Sequence, residues 1–277
     1  MRGVGALFMF NSLVRASRIT AFCQNLPSCP SSASASKLSM STSSSVLLDR
    51  VAGDGLGGKG TTLVPKGGAY KNVVVWLHGL GDTAEGWVNS MPEFGVENTK
   101  FILPTADSRP ITLNGGYEMP GWSDINGLGA EFPEDSEGFE ASANRVRAIL
   151  EAERIKGKES ARMVVGGFSQ GGAVALHVCL RSTEPLAGCV GCSAWVPMNK
   201  LYPEALGSAA KNIPVAQFHG TRDEIVRFTW GQDSHKLMKE GLGMTATFQA
   251  IPGMAHSACQ DELESIGEFM RKVLPEA

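Results

Sequence analysis

Three side chains in this chain have the types and the order to act as one catalytic unit: Ser169, Asp223 and His256, each just past an apolar run. A serine hydroxyl is a weak nucleophile at neutral pH. It needs a base to take its proton and a third group to hold that base in one tautomer. Ser169 sits at the centre of Gly167-Phe168-Ser169-Gln170-Gly171. A strand-like run, Arg162-Met163-Val164-Val165-Gly166, precedes it and a helix-like run, Gly172-Ala173-Val174-Ala175-Leu176-His177-Val178, follows. The pattern G-x-S-x-G between a strand and a helix makes a sharp turn that exposes the serine hydroxyl. The turn lies at a helix N-terminus, where backbone N–H groups favour negative charge. The chemistry this suits is acyl transfer.

Each partner has competitors. For the base, His256 follows the last strand-like run in a loop with Gly253 nearby. His177 lies two turns into the helix after Ser169, His235 sits in a surface-like helix, and His219 comes too early for the order serine, acid, histidine. For the acid, Asp223 follows the strand end His219-Gly220, while Glu224 is adjacent and Asp233 and Asp261 read as helix-surface charges. Acyl transfer also needs donors for the oxyanion. The N–H of Gln170 is one. The glycine-rich stretch His78-Gly79-Leu80-Gly81-Asp82 can supply a second, because glycine lets backbone approach a reacting carbonyl closely. His78 itself reads as a structural residue of that turn.

The elements that would position these groups alternate regularly. Strands are expected at 72–77, 101–104, 162–166, 186–194, 213–219 and 246–251, the first two of them buried. Helices are expected at about 139–156, 172–178, 228–240 and 259–273. Strands alternating with helices imply a mostly parallel sheet covered on both faces. Between Thr105 and Ser136 lies a long loop carrying Tyr117, Met119, Trp122, Ile125, Leu128 and Phe132, too apolar for a disordered linker. It reads as a lid or pocket wall.

Residues 1–48 contain no Asp or Glu but include Arg2, Arg15, Arg18 and Lys37 among many Ser and Ala. That is the composition of an organelle transit peptide; Met40 also offers an internal start. Residues 1–60 are therefore expected outside the fold and 61–277 inside one domain. Gly53-Asp54-Gly55-Leu56-Gly57-Gly58 matches G-x-G-x-x-G but lacks the flanking strand and helix of a dinucleotide site, and reads as a flexible entry segment. The net charge of −3 argues against nucleic acid as a partner. No apolar run reaches the roughly 18 residues of a membrane span. Five scattered histidines form no metal-ligand pattern, so neither metal nor cofactor is expected. The six cysteines are expected to be reduced, with Cys189 and Cys192 on opposite faces of one strand.

Further motifs carry a resemblance. Leu77-His78-Gly79-Leu80-Gly81-Asp82-Thr83 with Gly86-Trp87 resembles the oxyanion loop of the acyl-protein thioesterase and lysophospholipase-carboxylesterase family. Gly166-Gly167-Phe168-Ser169-Gln170-Gly171-Gly172, Met119-Pro120-Gly121-Trp122-Ser123-Asp124-Ile125, His219-Gly220 with Asp223, and Met254-Ala255-His256-Ser257 with Cys259-Gln260 follow in the family's order. The resemblance spans about residues 70–275. It implies an α/β-hydrolase fold, a serine hydrolase of acyl thioesters or esters, and S-depalmitoylation of acylated proteins. Small esters and lysolipids are the alternative substrates. It implies the triad Ser169, Asp223 and His256, oxyanion donors at Leu80 and Gln170, and an acyl channel near Met119, Trp122, Leu128 and Trp195. It further implies no cofactor, a monomer or weak homodimer with peripheral membrane contact, and a cytoplasmic location, with mitochondrion or plastid as the alternative given the leader. The chain departs from the family pattern at Ser123, where a bulky aromatic is usual, at Ala194, where cysteine is usual, and at Glu224, where proline is usual.

Overall fold

The computed structural model describes residues 47–127, 129 and 132–274. The transit-like reading of the leader falls almost wholly outside them, as does Leu128.

Ten strands run in chain order: β1 Leu48–Ala52, β2 Gly60–Pro65, β3 Asn72–Leu77, β4 Thr99–Pro104, β5 Ser108–Ile111, β6 Tyr117–Pro120, β7 Met163–Phe168, β8 Gly188–Cys192, β9 Val215–Gly220 and β10 Ala246–Ile251. The α-helices are α1 Ser136–Ile155, α2 Gln170–Leu180, α3 Phe228–Lys236 and α4 Gln260–Val273. Eight strands form one sheet in the order β1-β2-β4-β3-β7-β8-β9-β10. From β4 to β10 every neighbouring pair is parallel; β1 and β2 add an antiparallel edge. β5 and β6 make a separate hairpin within the long loop.

The continuous apolar runs are explained by burial on both faces. In β3, Val73, Val75 and Leu77 face one core cluster with α1 and α2, while Val74 and Trp76 face a second with α4. Every residue of α2 is buried, which its apolar composition requires. Cys189 belongs to the first cluster and Cys192 to the second, so the C-x-x-C pair is split by the sheet as expected. Cys179, Cys189 and Cys192 are free, but Cys259 is disulfide-bonded, a correction to the expectation that all cysteines are reduced.

The boundary expected at residue 61 is also corrected: β1 pairs with β2 along its whole length, so the fold includes residues 48–60. The segment Gly53–Gly60 is an ordered strand-to-strand turn. Asp54 is 1 % exposed and accepts the N–H groups of Leu56 and Gly58 at 3.0 and 2.9 Å. Arg145 of α1 donates to the same carboxylate through Nε and Nη2 at 3.1 and 2.7 Å, and to the carbonyls of Thr105 and Lys59. The glycine pattern thus serves a compact turn clamped to the domain. Asp54→Ala removes all four bonds to the carboxylate and leaves the arginine without its partner. Amide hydrogen exchange across residues 48–60 should rise at least tenfold, with little change in β7.

Glu262, in the first turn of α4, is fully buried. Burial and the nearby charge of Asp223 push its carboxyl up to about 8, and the Cys259 amide offsets only part of this. The native state therefore holds a proton that the unfolded chain has lost above about pH 4.5. Stability should fall as pH rises from about 4.5 to 8, by up to about 1.4 kcal/mol per unit. Glu262→Gln should flatten that slope in denaturant titrations across this range. A wild-type slope unchanged in the variant would show that another group titrates.

Candidate active site

The site lies at the carboxyl ends of the parallel strands, where open α/β sheets bind ligands. Register aligns them: Leu77 pairs with Gly167, Phe168 with Cys192, and Cys192 with Phe218. The chain leaving each strand then supplies one part of the site.

Leaving β7, the backbone turns at once into α2. Ser169 stands at the turn with φ 55° and ψ −123°, a region that costs a non-glycine residue strain unless its surroundings hold it there. They do. The Ser169 N–H donates to Cys192 O at 2.8 Å, and its carbonyl accepts from Ala173 N at 2.9 Å. A Cβ on Gly171 would lie 2.4 Å from the carbonyl oxygens of Leu77 and His78, and one on Gly167 2.6 Å from Leu77 O. Only glycine lets the elbow pass this close to the end of β3.

His256, after β10, reaches Ser169 Oγ through Nε2 at 2.9 Å. Its Nδ1 is 2.7 Å from Asp223 Oδ2. With Nδ1–H donating to the carboxylate, Nε2 is left as the acceptor for the serine hydroxyl. The imidazole packs 4.8 Å from the Phe168 ring. Three bonds knit the acid loop to the histidine loop: Thr221 N to Ile251 O, Arg222 N to Met254 O, and Gly253 N to Thr221 Oγ1. Asp223 Oδ1 accepts the N–H groups of Ile225 and Val226 at 3.0 and 2.9 Å. Burial opposes its ionisation, but bonds from His219 and His256 prevail and hold the carboxyl at about 2. Among the competitors, Glu224, Asp233 and Asp261 are exposed, and His177 is bonded to Glu140 on the far side of α2.

Sequence reasoning missed the part played by His219. It reads as ordinary packing from the sequence, yet its Nε2 lies 3.4 Å from Asp223 Oδ2 while donating to Val226 O at 2.8 Å. Its spacing of four residues from Asp223 across a strand end was the available signal.

A Cβ on Gly79 would lie 3.4 Å from Ser169 Cβ, so the loop that carries Leu80 borders the serine. No hydrogen bond among the described residues claims the N–H of Leu80 or of Gln170. His78 is structural, as expected. Burial pushes its ring down to about 4, so it is neutral. Nδ1–H donates to Gly79 O at 2.7 Å and Nε2 accepts from Ala106 N at 3.0 Å.

The acyl-channel candidates divide. Met119 is half-buried, with a sulfur that a Cβ on Gly81 would meet at 3.5 Å, so it borders the Leu80 loop. Trp195 is half-buried, edge-on to Phe139, with Nε1 donating to Glu134 at 3.0 Å. Trp122 is corrected: at 1 % exposed it lies in the first core cluster and cannot line an open channel. Ser123, the position where an aromatic was expected, is also 1 % exposed and bonds Gln170.

A family model described as Phospholipase/Carboxylesterase matches residues 59–274. The chain is 37 % identical over 222 residues to acyl-protein thioesterase 1 of Gibberella zeae, covering 76 % of this chain and 94 % of that protein. It is 36 % identical to the protein of the same name in Cryptococcus neoformans, over 74 % of this chain and 94 % of the relative. Among solved structures, Zea mays acyl-protein thioesterase 2 superposes with a TM-score of 0.71 at 30 % identity, covering 79 % of this chain and all of the maize chain. The eight-stranded sheet, the strained serine turn and these relatives agree: the chain belongs to the phospholipase/carboxylesterase family of α/β-hydrolases, and is a serine hydrolase.

Proposed function

We propose that this enzyme hydrolyses acyl thioesters, removing long acyl groups from protein cysteines. The observation that carries the reading is the continuous chain Ser169 Oγ, His256 Nε2, His256 Nδ1, Asp223 Oδ2. The Leu80 and Gln170 N–H groups, which no other group among the described residues claims, are its candidate oxyanion donors. In the reaction Ser169 Oγ attacks the thioester carbonyl as its proton passes to His256 Nε2. The Leu80 and Gln170 N–H groups donate to the developing oxyanion. Collapse expels the cysteine thiolate, which takes the proton from His256. Water then attacks the acyl-enzyme by the same route in reverse, releasing the fatty acid and free Ser169. Asp223, held ionised far below neutral pH, supports the imidazolium in both halves.

Naming of the relatives as acyl-protein thioesterases supports the thioester substrate. The second reading, hydrolysis of small carboxylic esters or lysophospholipids, is favoured by the description of the matching family. An apolar acyl chain suits both, since each buried methylene contributes about 0.8 kcal/mol.

Ser169→Ala should abolish labelling by a fluorophosphonate probe and lower kcat by about 10⁴-fold or more; Asp223→Asn should cost about 10⁴-fold by destabilising the working tautomer. Labelling that survives in Ser169→Ala would place the nucleophile elsewhere. On substrates, kcat/KM should rise along p-nitrophenyl esters from two to eight carbons or more, and a palmitoylated cysteine peptide should be cleaved. A sharp preference for the acetyl ester with no peptide cleavage would sink the thioesterase reading and leave the esterase one.

A further inference from the structure

The two candidate oxyanion donors belong to different loops. Gln170 N–H rides on the elbow after β7, and Leu80 N–H on the loop after β3. Their separation must match one oxygen atom to within a few tenths of an ångström, because donors act at about 2.7–3.1 Å from the oxyanion. Strand pairing ends at Leu77 and Gly167, so the sheet alone does not fix the donors. A buried chain of side-chain bonds spans the gap.

It starts at the Gln170 side chain, 1 % exposed. Oε1 accepts the Trp122 N–H at 2.8 Å, and Nε2 donates to Ser123 O at 2.8 Å and to Ser123 Oγ at 2.9 Å. Both amide protons and the carbonyl are thereby used. From the same segment, Trp122 Nε1–H donates to His78 O at 2.8 Å, and Pro120 O accepts Gly81 N–H at 2.8 Å. These last two bonds bracket Leu80. Trp122 is itself fixed by Ser142 Oγ on its carbonyl and by the His78 ring 5.1 Å away. The side chains of Gln170, Trp122, Ser123 and Ser142 are buried with their bonds made, the condition under which such a network rigidifies its surroundings.

We propose that the Gln170 side chain is a positioning residue for the oxyanion site, acting through Trp122 on the Leu80 loop so that the two N–H donors converge. Gln170 then serves twice: its backbone binds charge and its amide sets the distance to the other donor. The proposal rests on the hydrolase reading above.

The test uses Gln170→Met, which keeps length but loses the amide bonds, and Trp122→Phe, which loses only the bond to His78. Hydrolysis of p-nitrophenyl butyrate is followed together with the affinity of a butyl trifluoromethyl ketone, which forms a tetrahedral adduct, and of the matching methyl ketone. Each variant should lose about 10- to 100-fold in kcat with KM within threefold. Trifluoromethyl ketone affinity should fall in parallel while methyl ketone affinity holds. The double variant should fall no further than the worse single one, since both cut the same chain. A kcat within twofold of wild type in either folded variant, additive losses, or a change confined to KM would overturn the proposal. Thermal midpoints monitor folding, and Trp122→Phe carries the test if Gln170→Met does not fold. Wild-type protein that neither turns over nor labels with fluorophosphonate would instead overturn the hydrolase reading.

Discussion

The close approach of the elbow to the end of β3 is the constraint on which the site depends. Gly167 and Gly171 bring the serine turn against the carbonyls of Leu77 and His78 with no room for a Cβ. That contact holds Ser169 at a positive φ, with its hydroxyl within hydrogen-bond reach of His256. Elsewhere the inner parallel strands β4, β8 and β9 are buried along their whole length, while β10 at the edge is largely exposed. The strained turn is surrounded by fully buried elements, β3, β7 and α2. This is how a strained conformation persists.

Three carboxyls near this end of the sheet show how environment divides one chemical group into different states. Asp223 has two histidines and two backbone N–H groups around it and stays ionised at about 2. Asp82, beside the Leu80 loop, is raised by burial to about 6 against the pull of the Thr83 N–H. Glu262, deeper and close to a charge of its own sign, holds its proton to about 8. Desolvation acts on all three. The number of donors decides which way the balance falls.

Much of the site was legible because its residues lie in loops directly after strands, where sequence marks both strand and loop. Ser169, Asp223, His256 and the His78–Asp82 stretch could be placed that way, and the alternation of apolar runs gave the parallel sheet. What could not be read depended on contacts distant in the chain. β1 is short and mostly exposed, recognisable only through its pairing with β2. The glycine-rich turn after it looks flexible until Arg145, 91 residues away from Asp54, closes on it. Trp122 carries the same apolar signal whether it faces a channel or the core. Its inward position follows from the carbonyl of His78 that its indole N–H must satisfy. His219 gains its role from a strand-end bend that brings Oδ2 of Asp223 back toward it.

The segment from Asp107 to Asp135 is anchored in a particular way. Asp124 accepts the N–H groups of Thr112 and Ile125, Asp135 those of Asp124 and Gly138, and Glu134 that of Met198. Any residue but proline offers a backbone N–H, so these anchors are indifferent to the side chains they tether. The exposed positions between them are thereby free to drift in size and polarity under selection while the loop keeps its path; buried Trp122 and Ser123, bonded to His78 and Gln170, are not. The glycines of the elbow have no such latitude. Inheritance in this architecture can therefore diversify what is bound without disturbing how it is cleaved.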